Sequence, residues 1–318
     1  MSIERDCCNF AQPIEKDMRR IILFLVTFVA FSLTSSAQLL YRISGNGLKN
    51  PSFLMGTYHL APSSFTDSIP GFKTSFDATA QVCGEILEEN MMQPEVAAKL
   101  QEAMMLPEGM TIQKMLTQQE MDALNVFTKE LMGVDFTNPM VGGQLGKMTP
   151  NALSTQFTLM MYLKHMKDFN VQDAIDYYVQ VLGKESGKKV LGLESVDDQV
   201  VALFKSQTLE RQKELLMCMV YNKDYMLQLS DDLTKAYFRQ DLNALEEITD
   251  RKMNDQCDNT DEENAVLITD RNANWLKKMP AIMSEAPTFF AVGAAHLTGE
   301  KGLLQLLKGA GYEVAPVK

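Results

Sequence analysis

Short apolar runs alternate with longer amphipathic stretches along this chain, and the two periods predict different elements. Runs at 38–44, 53–55, 81–87, 188–195, 287–292 and 312–317 have strand composition. The first two flank GNGLKNPS, a turn-forming stretch, and read as a hairpin. Helical spacing appears at 69–78, 95–105, 118–132, 152–169 and 171–182. A second helical block runs over 209–281, with breaks near Ser230, Gln240 and Asp258 and a last helix at 262–279. One more helix, 299–307, precedes the final strand. The pattern predicts an α/β fold: a central mixed β-sheet with large helical insertions, the main one at 94–184, inside a single domain spanning 38–318.

Two of the strand-like runs end in the same frame. FLMGTYHL (53–60) and FAVGAAHL (290–297) each read Phe, two apolar residues, Gly, two residues, His, Leu, and they hold two of the three histidines, His59 and His296. Each reads as a strand, a turn, a histidine and a helix. A glycine that closes a buried strand lets the chain turn without a Cβ clash, so the histidine projects from the carboxyl end of the sheet. Ligands bind at that edge in open α/β sheets. The plainer alternative is a strand-ending turn with a hydrogen-bonded histidine.

Two more runs end in carboxylates. QVCGEIL brings Glu85, and KKVLGLES brings Glu194, to the end of an apolar segment, where a carboxylate is costly unless paired or bound to a cation. The alternatives are an edge strand with Glu85 facing water, and a place for Glu194 in the helix cap formed by Ser195, Asp197 and Asp198. On the last long helix Arg271 and Asn272 sit beside the only tryptophan, Trp275; Arg271 also has the option of snorkelling from an amphipathic face. His165, among lysines, reads as an ordinary surface histidine outside the site. Met104, Met105, Met160 and Met161 read as fillers of an irregular core, or alternatively as a flexible substrate groove.

Composition adds a compartment and excludes a partner. The chain has 318 residues, 46% of them hydrophobic, and a formal net charge of −11. This acidity argues against nucleic acid, whose phosphates it would repel. Residues 1–37 read as an N-terminal extension and signal peptide: Met18-Arg19-Arg20 as a positive start, a short apolar run, then small residues ending at Ala37. Met18 offers an alternative start, and an uncleaved anchor is the other reading, giving the only membrane contact expected. The destination is periplasmic or extracellular. Cys83, Cys218 and Cys257 remain beyond the leader, with neither a disulfide framework nor zinc-site spacing; a Cys218–Cys257 bridge is one option in an oxidising compartment.

Two histidines and one or two glutamates are donors suited to a divalent transition metal, and open positions on such an ion would carry an activated water. The spacing is not HExxH, and the same pairs could activate water without a metal. GTYH, GAAH, the glutamate of GEILEE, the GLES segment and DRNANW together resemble the TraB/PrgY/GumN family, which includes the TIKI proteases. The resemblance covers about 40–317. It implies an α/β fold with helical insertions and a metal-dependent peptidase favouring Mn2+ or Co2+, acting on a peptide or protein substrate. Carried onto this chain, it places His59, His296 and Glu85 at the metal, with Glu85, Glu194, Arg271 and Asn272 as catalytic or supporting residues and Arg271 facing developing negative charge. A non-catalytic binder of peptides or small ligands, or a metal-independent esterase, are the alternatives on the same fold. The sequence carries no sign of oligomeric state.

Overall fold

The computed structural model describes residues 38–91, 93–165 and 173–318. The expected leader, 1–37, lies outside these residues, as do the end of the helix expected at 152–169 and the start of that at 171–182. Six strands form one mixed sheet: β1 (Leu40–Gly45), β2 (Ser52–Thr57), β3 (Gln81–Gly84), β4 (Lys189–Gly192), β5 (Thr288–Gly293) and β6 (Tyr312–Pro316), in the order β4-β3-β5-β2-β1-β6. β4, β3, β5 and β2 run parallel. β1 pairs antiparallel with both β2 and β6, through the expected hairpin on one side. Parallel neighbours need crossover segments, and helices supply them.

The strands lie where the apolar runs predict, but β3 and β4 are shorter. β3 stops at Gly84 and β4 at Gly192, so Glu85 and Glu194 stand just beyond the strand ends. β3 lies between β4 and β5, so it is no edge strand. The main core packs Leu54, Met55, Val82, Phe289 and Phe290 of the sheet against Trp275, Met279 and Tyr237 of the helices.

Between β3 and β4 the described chain is largely helical, and it does not pack only upon itself. Leu124 and Phe127 of Gln118–Met132, and Leu153, Phe157 and Met161 of Pro150–His165, share a second core with Leu216, Met217 and Val220 of Leu209–Tyr221. Met161 is a core filler here, as one reading of the methionines has it. In the second helical block the break expected near Ser230 falls at Asn222 instead. The Asn222 side chain donates back to the Cys218 carbonyl at 3.0 Å, while Ser230 lies within the helix Lys223–Phe238 and its carbonyl accepts from Thr234. The break near Gln240 is a left-handed residue, φ 59°. The last long helix, Asp270–Glu285, runs on past Pro280 and is preceded by a π-helical turn, Ala265–Thr269. Among the described residues no helix is long and apolar enough to cross a membrane.

Cys218 and Cys257 are joined in a disulfide across 39 residues, tying the second core to the loop after Leu242–Thr249; Cys83 is free and buried. Closing such a loop stabilises mainly by restricting the unfolded chain. The Cys218→Ala/Cys257→Ala double variant is therefore expected to lose about 2–4 kcal/mol, read from the midpoint and slope of urea unfolding. An unchanged midpoint would show that the bridge contributes nothing to the folded state.

Candidate active site

The four parallel strands all deliver a candidate residue to one edge. His59 follows β2, Glu85 follows β3, Glu194 follows β4 and His296 follows β5. The two Gly-x-x-His frames lie on neighbouring strands one residue out of register, with Gly56 opposite Val292 and Thr57 opposite Gly293. The β3–β4 pairing runs on past both strands: the Glu194 N–H donates to the Glu85 carbonyl at 2.8 Å, which sets the two glutamates side by side. Gly56, Gly84, Gly192 and Gly293 close these strands with φ outside the left-handed region. The expectation of a sharp turn is thus replaced by close packing. A Cβ on Gly84 would come within 2.3 Å of Gln180 Nε2, and one on Gly192 within 2.7 Å of the Leu87 nitrogen.

Gln180 uses the space that Gly84 leaves. Its amide donates to the Ile86 carbonyl at 3.0 Å and accepts from the Glu88 N–H at 3.1 Å, holding the turn that carries Glu85. Nothing in a linear reading pairs Gly84 with Gln180, 96 positions on.

Arg271 is the hub. A guanidinium has five N–H donors, and all are occupied. Nε faces both Glu194 oxygens at 3.2 and 3.1 Å; Nη2 donates to Glu85 Oε2 at 2.6 Å and Glu194 Oε1 at 2.7 Å; Nη1 donates to the Leu267 carbonyl at 3.0 Å and His296 Nε2 at 3.1 Å. It therefore does not snorkel, and in this arrangement no N–H remains for a substrate oxygen. Glu194 accepts a further bond from Trp275 Nε1 at 2.9 Å, and Arg271 lies over that indole, 4.8 Å from the ring centre. Glu194 stays outside the helix cap, which Ser195 and Asp198 form between themselves.

Both histidines are anchored through Nδ1. His296, 3% exposed, donates from Nδ1 to Asn272 Oδ1 at 2.7 Å, and Asn272 in turn donates to the His296 and Lys301 carbonyls. The network assigns the Nδ1–H tautomer and leaves the Nε2 lone pair to Arg271. His59 faces Asp176 Oδ2 through Nδ1 at 2.9 Å, and Thr57 donates to the other Asp176 oxygen. Asp176, on the helix Ile175–Glu185, was missed by the sequence reading; in a linear sequence it is one more acidic residue in a first helical turn.

Their protonation diverges. Asp176, chiefly, with smaller pulls from Glu85 and Glu88, pushes the His59 pKa up to about 10, although water reaches a ring that is 72% exposed. Burial is the main cause that lowers His296 to about 4, with Arg271 adding to it. Glu85 is 10% exposed; burial favours its acid form, but His296, His59, Arg271 and the Gly293 N–H prevail and hold it below the usual carboxylate range. Asp176 is likewise held low, His59 and Thr57 outweighing burial.

As donors, His59, His296 and Glu85 fit a divalent ion: two imidazoles, each with Nδ1 fixed by a polar partner as metal-ligating histidines are, and a carboxylate. By distance they are held apart. His296 Nε2 and Glu85 Oε1 are 3.9 Å from each other, whereas two donors on one ion, with bonds near 2.1 Å, lie about 3–3.4 Å apart. Among the described residues no three His, Cys, Asp or Glu side chains are gathered closely enough to hold an ion.

A mixed sheet whose parallel strand ends assemble two histidines and two glutamates around one arginine defines an α/β protein with a buried polar site at its strand-end edge. Residues 39–316 match the TraB/PrgY/gumN family, and the chain belongs to it. The chain is 23% identical over 302 residues to a protein named metalloprotease TIKI2 from Danio rerio, the match covering 83% of this chain and 58% of that protein. The chain thus spans little more than half the length of that relative. No solved structure matches.

Two predictions follow from this geometry. Gly84→Ala is expected to displace Gln180 and cost about 1–3 kcal/mol, with Gln180→Ala in the same background removing much of that penalty; equal penalties in both backgrounds would break the coupling. In the metal-free protein, NMR titration is expected to find His59 protonated until about pH 10 and His296 neutral down to about pH 4. By linkage, the stability from His59 is full below its ordinary 6.5 and is lost as pH rises through about 10; that from His296 is full above 6.5 and is lost as pH falls toward about 4. Asp176→Asn should return His59 toward 6.5, and a pKa that does not move would remove Asp176 as the cause.

Proposed function

We propose that this protein is an exported hydrolase that cleaves peptide bonds, with a divalent metal held by His59, His296 and Glu85. The observation that carries the reading is the anchoring of both histidines through Nδ1, by Asp176 and by Asn272, which reserves Nε2 for a ligand, beside a carboxylate kept ionised. The metalloprotease name of the TIKI2 relative supports it, and the family resemblance points to Mn2+ or Co2+.

When bound, the ion would polarise a peptide carbonyl and lower the pKa of a water molecule. The protein's own groups do the rest. Asp176 and Asn272 fix the two rings; because Asp176 raises the His59 pKa, His59 must release a proton to bind a cation, so metal uptake is expected to liberate a proton and to weaken as pH falls. Glu85 serves as ligand or as the base that accepts the water proton, and Glu194 keeps Arg271 compensated. The disulfide supports an oxidising destination, and the acidic surface favours peptide over nucleic acid as substrate.

One observation favours a second reading, ligand capture without turnover: Arg271 occupies the lone pair a metal would need. The test separates the readings. The purified protein is assayed on a peptide library with Mn2+, Co2+ or neither, beside His59→Ala and His296→Ala, with metal content measured by elemental mass spectrometry. The hydrolase reading expects about one equivalent of metal and peptide cleavage, with both variants losing the ion and at least about 10²-fold in rate. Cleavage retained by both variants would sink it; stoichiometric capture without cleavage would select the binder, and activity that survives chelation an esterase-like, metal-free site.

A further inference from the structure

The helix Lys223–Phe238 lines a cavity beside the candidate site. Asp224, Leu227, Asp231 and Thr234 recur every three or four residues and so share one face of that helix. This face borders a cavity of about 400 Å³ whose opposite wall is Met161 and Tyr162 of Pro150–His165. The inner end of the cavity is tied to the strand-end edge. The Tyr58 hydroxyl meets Thr234 Oγ1 at 3.3 Å, and Tyr162 donates to the Leu60 carbonyl and packs edge-on against Tyr58. Tyr58 and Leu60 flank His59, the charged side chain of the site that water reaches most freely.

A second cavity, of about 580 Å³, continues from the first and shares Asp224 with it. Its border includes Val126 and Tyr221, large apolar side chains left 60% and 57% exposed. Single exposed apolar residues need no explanation, but here two border one cavity. Both volumes fall in the range of ligand sites, roughly 300–1,000 Å³.

Charge decides what fits. Asp231 is paired with Lys235 at 2.6 Å, and Lys223, next to Asp224, is already paired with Glu130, so these five groups leave one negative charge over. Lysine and arginine lay their stems along apolar surface while the charged head stays in water. In the first cavity such a stem has Met161 and Leu227 beside it and its head reaches Asp224. A carboxylate in the same place would be repelled.

We propose that the two cavities form a peptide groove leading to His59, the first taking a lysine or arginine side chain and the second an apolar one. Asp224 is the residue that selects the cation. This inference rests on the peptide reading above and not on the metal.

The test measures binding to the full chain without added metal. The probes are two pools of short, end-blocked random peptides free of Lys and Arg except at the centre, which is Lys in one pool and norleucine in the other. Norleucine keeps the stem and removes the charge. The Lys pool is expected to bind about twofold to fivefold more tightly by fluorescence anisotropy, the range of a solvent-exposed ion pair. On protein labelled with 13C in its methionine and valine methyls, Met161 and Val126 should shift as that pool is added.

Charge reversal supplies the sign. Asp224→Lys should turn the preference toward norleucine, while Glu313→Lys on the edge strand β6, the same change in net charge outside the groove, should leave it as it is. Equal binding of both pools, a preference that survives Asp224→Lys, one that Glu313→Lys also removes, or shifts that bypass Met161 and Val126 would overturn the groove and leave the peptide reading standing. Neither pool bound or cleaved, with or without Mn2+, would overturn both. If Asp224→Lys does not fold, Asp224→Asn replaces it, with equal binding of the two pools as the expected result.

Discussion

The guanidinium of Arg271 is the interaction on which the site depends. It is 12% exposed and faces two carboxylates that are 10% and 5% exposed. Taking such charges from water costs several kcal/mol each, and removing one partner from a buried pair typically costs about 3–5 kcal/mol, because the other charge is left uncompensated. Here one cation serves two anions and a neutral imidazole, so Glu85, Glu194 and His296 are placed by four of its five N–H groups, the fifth going to the Leu267 carbonyl.

The sheet explains how residues so far apart in sequence meet. Four parallel strands end at one edge, and each crossover returns the chain to the same side of the site. Glycines at the strand ends let neighbouring backbone and side chains approach within distances a Cβ would forbid. The helical segments do more than connect strands. The stretch between β3 and β4 supplies Asp176 and Gln180, the first fixing His59 and the second fixing the turn that bears Glu85. Its remainder shares a core with the helix Leu209–Tyr221, and the disulfide at Cys218 ties that helix to Cys257.

The two histidines occupy the same sequence frame but not the same environment. His59 is open to water beside Asp176, and charge is favoured there. His296 is buried against Trp275, with ring centres 4.4 Å apart, and Arg271 already stands at its free nitrogen, so charge is opposed. One motif thus yields a basic and a weakly basic imidazole, set by burial and neighbours rather than by the motif itself.

The sequence by itself determined the strands, most of the helices, the repeated Gly-x-x-His frame and the family. Apolar periodicity, strand-ending glycines and a scarce residue type used twice are local signals. It also marked Glu85, Glu194, Arg271 and Asn272 as chemically unusual, since charged or amide groups beside apolar runs need partners. What it left open was decided by contacts between distant segments. Glu85 had an edge-strand reading until β3 lay between two neighbours, and Glu194 a capping reading until Arg271 and Trp275 reached it. Asp176 and Gln180 carry no local mark, because their importance is created by what packs against them. The break expected at Ser230 falls instead at Asn222, whose side chain bonds back to the Cys218 carbonyl, so that break is set by a local interaction the apolar spacing alone did not mark.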